Sequence, residues 1–351
     1  MATAVASMRE ATMTNGAGEE TRRWRQCEFR AMNTGVYVWL YTDGGLAMDH
    51  VERLFRRYEE ALSRFLPDSD LSRLNRCPQR RCQVSRVLFD ALEAALWAAQ
   101  ASGGVYNPTL LPLLEAAGYD RSFERVGSYQ ESRQNGGQVG RDALIPAIEA
   151  PAAVNLFDLD AVTLDRGAQT VTRPPGMRFD LGGIGKGWAV DRTSDLLHGL
   201  GAQTGPFFIN AGGDLYAYGQ PEAHRGWEVE IVHPLDEEQV LARLYLTNRA
   251  LATSSVTKRR WLKDGKAQHH LIDPRTARPA DTDLLSVSVH ADRTAAAEVY
   301  AKTALILGLE KGLAFLQTLP NVEGLLVTRD AQVFCTQGFT MFAKVGASYC
   351  S

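Results

Sequence analysis

Hydrophobic and polar residues alternate along "EFRAMNTGVYVWLYT" (28–42), which predicts a β-strand. A helical period replaces this alternation in "AMDHVERLFRRYEEALSRF" (47–65), where Val51, Leu54, Phe55, Tyr58 and Leu62 share one face. "PDSDLSRLNR" (67–76) reads as a turn leading into a short helix, with Ser69 or Asp70 able to accept from its first free N–H groups. "SRVLFDALEAALWAAQASGG" (85–104) is a second amphipathic helix, closed by a glycine pair.

Periodicity lapses at both ends of this region. Residues 1–26 are small, polar and charged and read as a disordered tail, leaving 27–351 as a single domain. Residues 121–153 gain Gly, Gln and Arg and read in part as an exposed insertion. From 154 onward short strands alternate with helices. "NLFDLDAVTLD" (155–165), "TVTRPPGMRFDLG" (170–182), "GWEVEIVHP" (226–234) and "VLARLYLTN" (240–248) are predicted strands. "FFINAGGDLYAYG" (207–219) is predicted as strand–loop–strand, and "GLLVTRD" with "AQVFCTQGF" as a closing hairpin. "GWAVDRTSDLLHGLG" (187–201) and "TAAAEVYAKTALILG" (294–308) are predicted helices. Strands outnumber what a βαβ repeat supplies, so the fold class is α+β.

Composition narrows the function classes. The 351 residues are 45% hydrophobic and 23% charged, as in an ordinary globular protein with a substantial core. A net charge of −3 supplies no basic footprint for nucleic acid or an anionic membrane. No run approaches the ~18 apolar residues of a membrane span. The first residues carry no apolar core of a secretory signal, so stable membrane insertion is not expected and the location is read as cytoplasmic. Five cysteines, an odd number, suit a reducing compartment. Cys77 and Cys82 bracket "PQRR" with no second ligand pair to complete a zinc site, and are expected to be unpaired thiols.

Chemistry concentrates in "RFDLGGIGKGWAVD" (178–191). It is not a Walker loop, because Lys186 is followed by Gly187 rather than Ser or Thr. It is not the dinucleotide fingerprint either, because Gly183, Gly185 and Gly187 are spaced G-x-G-x-G. The physics of an anion site survives both mismatches: exposed backbone N–H groups, a helix N-terminus and a lysine. The other reading is a tight turn into a helix with an exposed lysine. "NAGGD" (210–214) is a second glycine turn carrying Asn210 and Asp214. "HHLIDPRTARP" (269–279) sets His270 three residues before Asp273, a spacing open to a base and its orienter, to metal ligands, or to a capping Asp and a surface His.

The order "SRFLPDSDLSRLN", "GGVYNPT", "LGGIGKGWAVD", "NAGGD", "ATSS", "HLIDPRTARP" and "AEVYAKTALILG" resembles the FAD:protein FMN transferases, the ApbE-type flavin transferases, from about residue 28 to 345. The resemblance implies a two-lobed α+β fold, with mixed or antiparallel sheets, flanking helices and a flavin cleft between the lobes. It also implies that FAD is the substrate. With Mg2+, its pyrophosphate is cleaved, FMN passes to a Thr or Ser hydroxyl of an acceptor protein, and AMP leaves. A chain that only binds FAD, or hydrolyses it to FMN and AMP, is the alternative.

Carried over by motif, Lys186 would face the diphosphate, with Gly182 and Gly183 shaping that wall. Asn210, Gly212, Gly213 and Asp214 would cradle the nucleotide, and Ser254 and His270 would stand near the reacting phosphate. His270 would take the proton of the acceptor hydroxyl, and Asp273 would hold its loop or orient it. Met32 and Phe65 would lie near the isoalloxazine, Phe65 replacing the usual Tyr, and Asn107 stands where the family has Asp. The metal site departs most. Gly185 keeps the loop carbonyl, but Glu298 replaces Asp and Lys302 falls four residues later where Thr is usual, leaving Thr303 one residue further, about 100° around a helix. Reduced or altered Mg2+ dependence is therefore expected.

Overall fold

Met32 and Asn33 both adopt left-handed backbone, with φ of 52° and 60°, and this turn breaks the predicted strand 28–42 into a hairpin. Its arms are β1 (Arg23–Ala31) and β2 (Thr34–Thr42), paired residue for residue. Two positive φ values in a two-residue loop match the right-handed twist of the strands it joins. Hydrophobic alternation runs on through such a turn, which is why the pattern read as one strand. β1 also corrects the boundary of the tail. Residues 23–26 are paired strand, anchored by Trp24, whose ring lies 5.3 Å from Tyr41 and 5.5 Å from Trp227. The computed structural model describes residues 22–43, 46–123, 158–200, 204–221, 225–263, 266–339 and 343–345. The rest of the tail and nearly all of the expected insertion lie outside them.

The hairpin opens an eight-stranded sheet whose spatial order follows the chain. The other strands are β3 (Thr204–Ala211), β4 (Asp214–Tyr218), β5 (Arg249–Ser255), β6 (Leu284–Ala291), β7 (Glu323–Thr328) and β8 (Val333–Cys335). Every neighbouring pair is antiparallel. Helices are spliced between the strands: α1 (Leu46–Leu62), α2 (Asp70–Arg76), α3 (Arg86–Ala101), α4 (Leu111–Ala116), α5 (Gly185–Gly199), α6 (Thr294–Leu307) and α7 (Leu309–Gln317). Ser69 caps α2, accepting from Ser72 N–H at 3.0 Å.

Alternate residues of the sheet feed two cores. Val38, Phe207, Ile209, Ala252 and Val287 join Phe55, Trp188, Ala189 and Ala301 of the helices. Phe208, Leu215, Leu251 and Val327 point the other way, onto a smaller sheet of Trp227–His233, Asp236–Leu246 and Ala343–Val345. The result is a helix, sheet, sheet sandwich, the α+β class expected. All eight residues of β6 are buried, as a strand covered on both faces requires.

Two further expectations fail. The segment 170–182 holds only a short strand, Thr170–Thr172, paired with Arg81–Gln83 and Thr163–Asp165. After it, Pro174 and Pro175 lack the N–H groups a ladder needs. Buried Arg173 holds the irregular run instead, donating to Met177 O at 2.6 Å, Leu74 O at 2.7 Å and Cys77 O at 2.9 Å. Cys77 and Cys82 are joined in a disulfide rather than unpaired. The end of α2 and the Arg81–Gln83 strand bring the two sulfurs together, a proximity invisible in the spacing. The pairing also removes the ground on which cysteine usage suggested a reducing compartment. No helix among the described residues is long and apolar enough to cross a membrane.

Candidate active site

The glycines of the 182–187 loop exist for close approach. A side chain at Gly187 would strike the backbone of α6, meeting Thr294 O at 2.7 Å and Ala295 Cα at 2.8 Å. One at Gly183 would meet Lys302 Nζ and the Tyr106 ring, each at 2.9 Å. The loop therefore lies directly against α6, and the charges of the two segments interlock.

Lys186 Nζ is 2.5 Å from Asp214 Oδ2 and 2.6 Å from Glu298 Oε1. Gly187 N–H donates to Glu298 Oε2 at 2.9 Å. Lys302, one turn after Glu298, donates to Gly183 O at 2.6 Å and lies 3.8 Å from Glu298 Oε1. Both carboxylates are buried, each 3% exposed. Burial opposes the Lys186 charge, but Asp214 and Glu298 outweigh it and hold its pKa above the usual lysine value. Burial, reinforced by Glu298, pushes Asp214 up to about 6. Glu298 is buried too, yet Lys186 and Lys302 keep it below the usual carboxylate value.

Facing this cluster is a cavity of about 610 Å³, the size of pockets that hold a cofactor-sized ligand. Of the residues singled out in the sequence, Met32, Phe65, Asn107, Gly182, Gly183, Gly185, Lys186 and His270 line it. His270 Nδ1 is buried without a hydrogen-bond partner among the described residues, and burial with the nearby Arg259 holds the ring neutral, well below the ordinary histidine pKa. Its neighbour His269 fixes the strand end: Nε2 donates to Ala280 O at 3.1 Å and Nδ1 accepts from Leu271 N–H at 3.3 Å. Asn107 Oδ1 is committed to its own loop, accepting from Thr109 N–H at 2.8 Å and the Thr109 hydroxyl at 2.7 Å.

The remaining candidates stand back from the cavity. Asn210 Oδ1 accepts from Gly213 N–H at 2.8 Å and closes the β3–β4 turn, where Gly212 and Gly213 have φ of 67° and 100°. That geometry makes "NAGGD" the hairpin turn between β3 and β4. Asp214 and Glu298 lie behind Lys186. Ser254 is buried within β5. Asp273 accepts from Arg275 N–H at 2.9 Å and its guanidinium at 2.7 Å, which fits holding the loop and not orienting His270. The buried Thr303 hydroxyl donates to Val299 O at 2.8 Å within α6. No group of three His, Cys, Asp or Glu stands at metal-binding spacing among the described residues.

Several cavity residues escaped the sequence reading. Arg64 Nε pairs with Asp180 Oδ2 at 2.7 Å, and its guanidinium lies 4.2 Å from the Phe65 ring centre and 4.6 Å from that of Tyr119. Asp180 Oδ1 in turn accepts from Gly182 N–H at 3.0 Å. Tyr106 presents a buried hydroxyl with no partner among the described residues, and Arg259 adds a further cation. Only adjacency marked them, Arg64 to Phe65 and Tyr106 to Asn107. The cavity lining thus combines aromatic rings with cationic side chains, which suits an anionic ligand carrying a flat apolar group.

Known proteins resemble this chain in sequence and fold. The ApbE family matches residues 32–326. An FAD:protein FMN transferase of Treponema pallidum is 31% identical over 319 residues, covering 85% of this chain and 82% of that one. One from Klebsiella pneumoniae is 26% identical over 305 residues, covering 86% and 88%. Among solved structures, the ApbE protein of Thermotoga maritima superposes with a TM-score of 0.75 at 23% identity, covering 91% of this chain and 99% of that one. The flavin transferase ApbE of Vibrio cholerae gives 0.71 at 20%, covering 92% and 100%. The chain belongs to the ApbE family.

Proposed function

We propose that this chain is an FAD:protein FMN transferase. The reading rests on the names its relatives carry and on one local arrangement: the unpartnered, buried His270 Nδ1 in the same cavity as the ammonium groups of Lys186 and Lys302. The isoalloxazine lies toward Phe65, Tyr119 and Met32, and the pyrophosphate toward the two lysines. The acceptor Ser or Thr oxygen attacks the FMN phosphorus. A new phosphoester bond forms, the bond from that phosphorus to the bridging oxygen breaks, and AMP leaves with that oxygen. The hydroxyl proton passes to His270. Burial keeps its ring neutral near pH 7, the state a base needs. Charge on the pyrophosphate is the main obstacle in phosphoryl-type transfer, so the lysines carry most of the electrostatic work.

Mg2+ is the metal the family implies. It takes oxygen ligands in near-octahedral geometry. Here both oxygens of Glu298 are committed, to Lys186 and Gly187 N–H, and the Lys302 ammonium stands against the glycine loop, donating to the Gly183 carbonyl. These residues do not fit a magnesium site, and no step here passes through one.

Incubation of the purified chain with FAD and candidate acceptors tests the assignment. AMP release that requires an acceptor, with FMN found on it by mass spectrometry, is expected. AMP without acceptor would identify a hydrolase, and bound flavin without AMP a binding protein. His270→Asn should retain flavin and lose AMP release.

A further inference from the structure

The Lys302 side chain is only 13% exposed, yet it ends at the cavity rather than in solvent. Its ammonium has three donors and no acceptor. One donor is taken by Gly183 O at 2.6 Å, and Glu298 Oε1 at 3.8 Å balances the charge. The Lys186 ammonium is held in the same way by Asp214 and Glu298. Each lysine therefore keeps donor capacity toward the cavity while the protein fixes its position. Two buried carboxylates face two ammonium groups and none is left over, while Arg259 brings a further positive charge to the cavity. A dication placed here would meet two ammonium groups with no carboxylate free to hold it.

We propose that the Lys302 ammonium is this chain's built-in replacement for a divalent cation, neutralising the FAD pyrophosphate so that the reaction runs without metal. The inference rests on the flavin-transferase reading and concerns only how charge is supplied there. The fixed ammonium needs no metal pool and cannot be removed by a chelator. It also cannot expand its coordination as the pyrophosphate splits, so Lys186 and Arg259 must share the developing charge.

Removing the ammonium should reopen the position to metal. Lys302→Ala frees the Gly183 carbonyl, removes one of the two ammonium groups beside Glu298 Oε1 and leaves space there. Lys302→Met removes the charge but fills that space. Three measurements on the full chain test this: FAD binding followed by flavin fluorescence, AMP release, and Mn2+ binding by electron paramagnetic resonance. Wild type is expected to bind FAD and release AMP equally with excess EDTA or with Mg2+, and to bind no Mn2+ at the cluster. Lys302→Ala should lose about 10²-fold in AMP release in EDTA, the scale of losing one oriented charge-stabilising donor, and regain much of it with Mg2+. Lys302→Met should lose a similar factor under both conditions.

Loss of wild-type activity in EDTA, or stoichiometric Mn2+ at the wild-type cluster, would overturn the proposal while leaving the transferase reading intact. So would wild-type behaviour of Lys302→Met, or a folded Lys302→Ala that Mg2+ does not rescue. Failure of wild type to bind FAD under any condition would instead overturn the reading beneath it.

Discussion

Arg64 and Asp180 form a nearly buried ion pair, Nε to Oδ2 at 2.7 Å with side chains 6% and 14% exposed. It couples two parts of the cavity lining. On one side Arg64 lies against the adjoining Phe65 and Tyr119 rings and donates to Tyr119 O at 2.7 Å; on the other Asp180 receives the Gly182 N–H that opens the glycine loop. The aromatic pair and the glycine loop are therefore joined through one ion pair.

Breaking that pair from one side strands a carboxylate. We expect Arg64→Ala to destabilise the protein by about 3–5 kcal/mol, because Asp180 would remain in a site that solvent barely reaches. FAD affinity should fall with it as the Phe65 and Tyr119 rings lose the cation beside them. Arg64→Lys should recover only part of either loss, since an ammonium cannot stack as a planar guanidinium does. Urea unfolding and flavin titration give the two readouts, and an unchanged urea midpoint in Arg64→Ala would count against this role of the ion pair.

His269 makes stability depend on pH. Burial pushes its pKa from 6.5 down to about 4, and its two hydrogen bonds require the neutral ring, one nitrogen donating and the other accepting. The unfolded chain takes up the proton first as pH falls. Its contribution is thus present above pH 6.5 and lost as pH drops toward 4. The loss is on the order of 3 kcal/mol. Asp214 acts in the opposite sense: raised to about 6, it contributes at low pH and loses that contribution as pH rises through 6. Comparing urea midpoints of wild type and His269→Gln from pH 4 to 7 separates the two. The variant should lack the His269 part of the decline, and parallel curves would refute it.

Much of this was legible in the chain, for reasons that differ by element. α1 and α3 were visible because each buries one stripe against a core and leaves the other in water. β5 and β6 were not, since strands covered on both faces lose the alternation that marks a strand. Motif order brought Met32, Phe65, Lys186 and His270 to the cavity, but not how they are held. Asp214 and Glu298 were recognisable as acids, and only the packing of α6 on the glycine loop turns both toward Lys186. The Arg64–Asp180 pair joins segments that nothing local connects.

Tyr106 offers a clean separation of binding from stability. Its hydroxyl is buried in the cavity wall without a partner among the described residues, and burial, with Asp180 and Glu298 nearby, pushes its pKa well above the ordinary value. It is therefore a neutral donor. Removing an unsatisfied buried hydroxyl relieves a desolvation penalty of about 1–3 kcal/mol. We expect Tyr106→Phe to be as stable as wild type or more so, yet to bind FAD several-fold more weakly. Equal flavin affinity in the variant would show that the hydroxyl does not meet the substrate.

Gly187 tests whether the cluster depends on the contact between the glycine loop and α6. An alanine there would press on Thr294 O, Ala295 Cα and Ala295 N at 2.7 to 2.8 Å, all backbone atoms that cannot swing aside. Either α5 or α6 must move, and overpacking of this kind costs about 1–3 kcal/mol. Movement would also draw Gly187 N–H off Glu298 Oε2 and loosen the carboxylate that holds both lysines. Gly199, at the end of the same helix, has nothing within 4 Å of the Cβ position, so Gly199→Ala should be neutral or slightly stabilising. Gly187→Ala should lower the urea midpoint and weaken FAD binding together, while Gly199→Ala changes neither. Loss of stability with full flavin affinity would mean the lysines hold their places without the close contact.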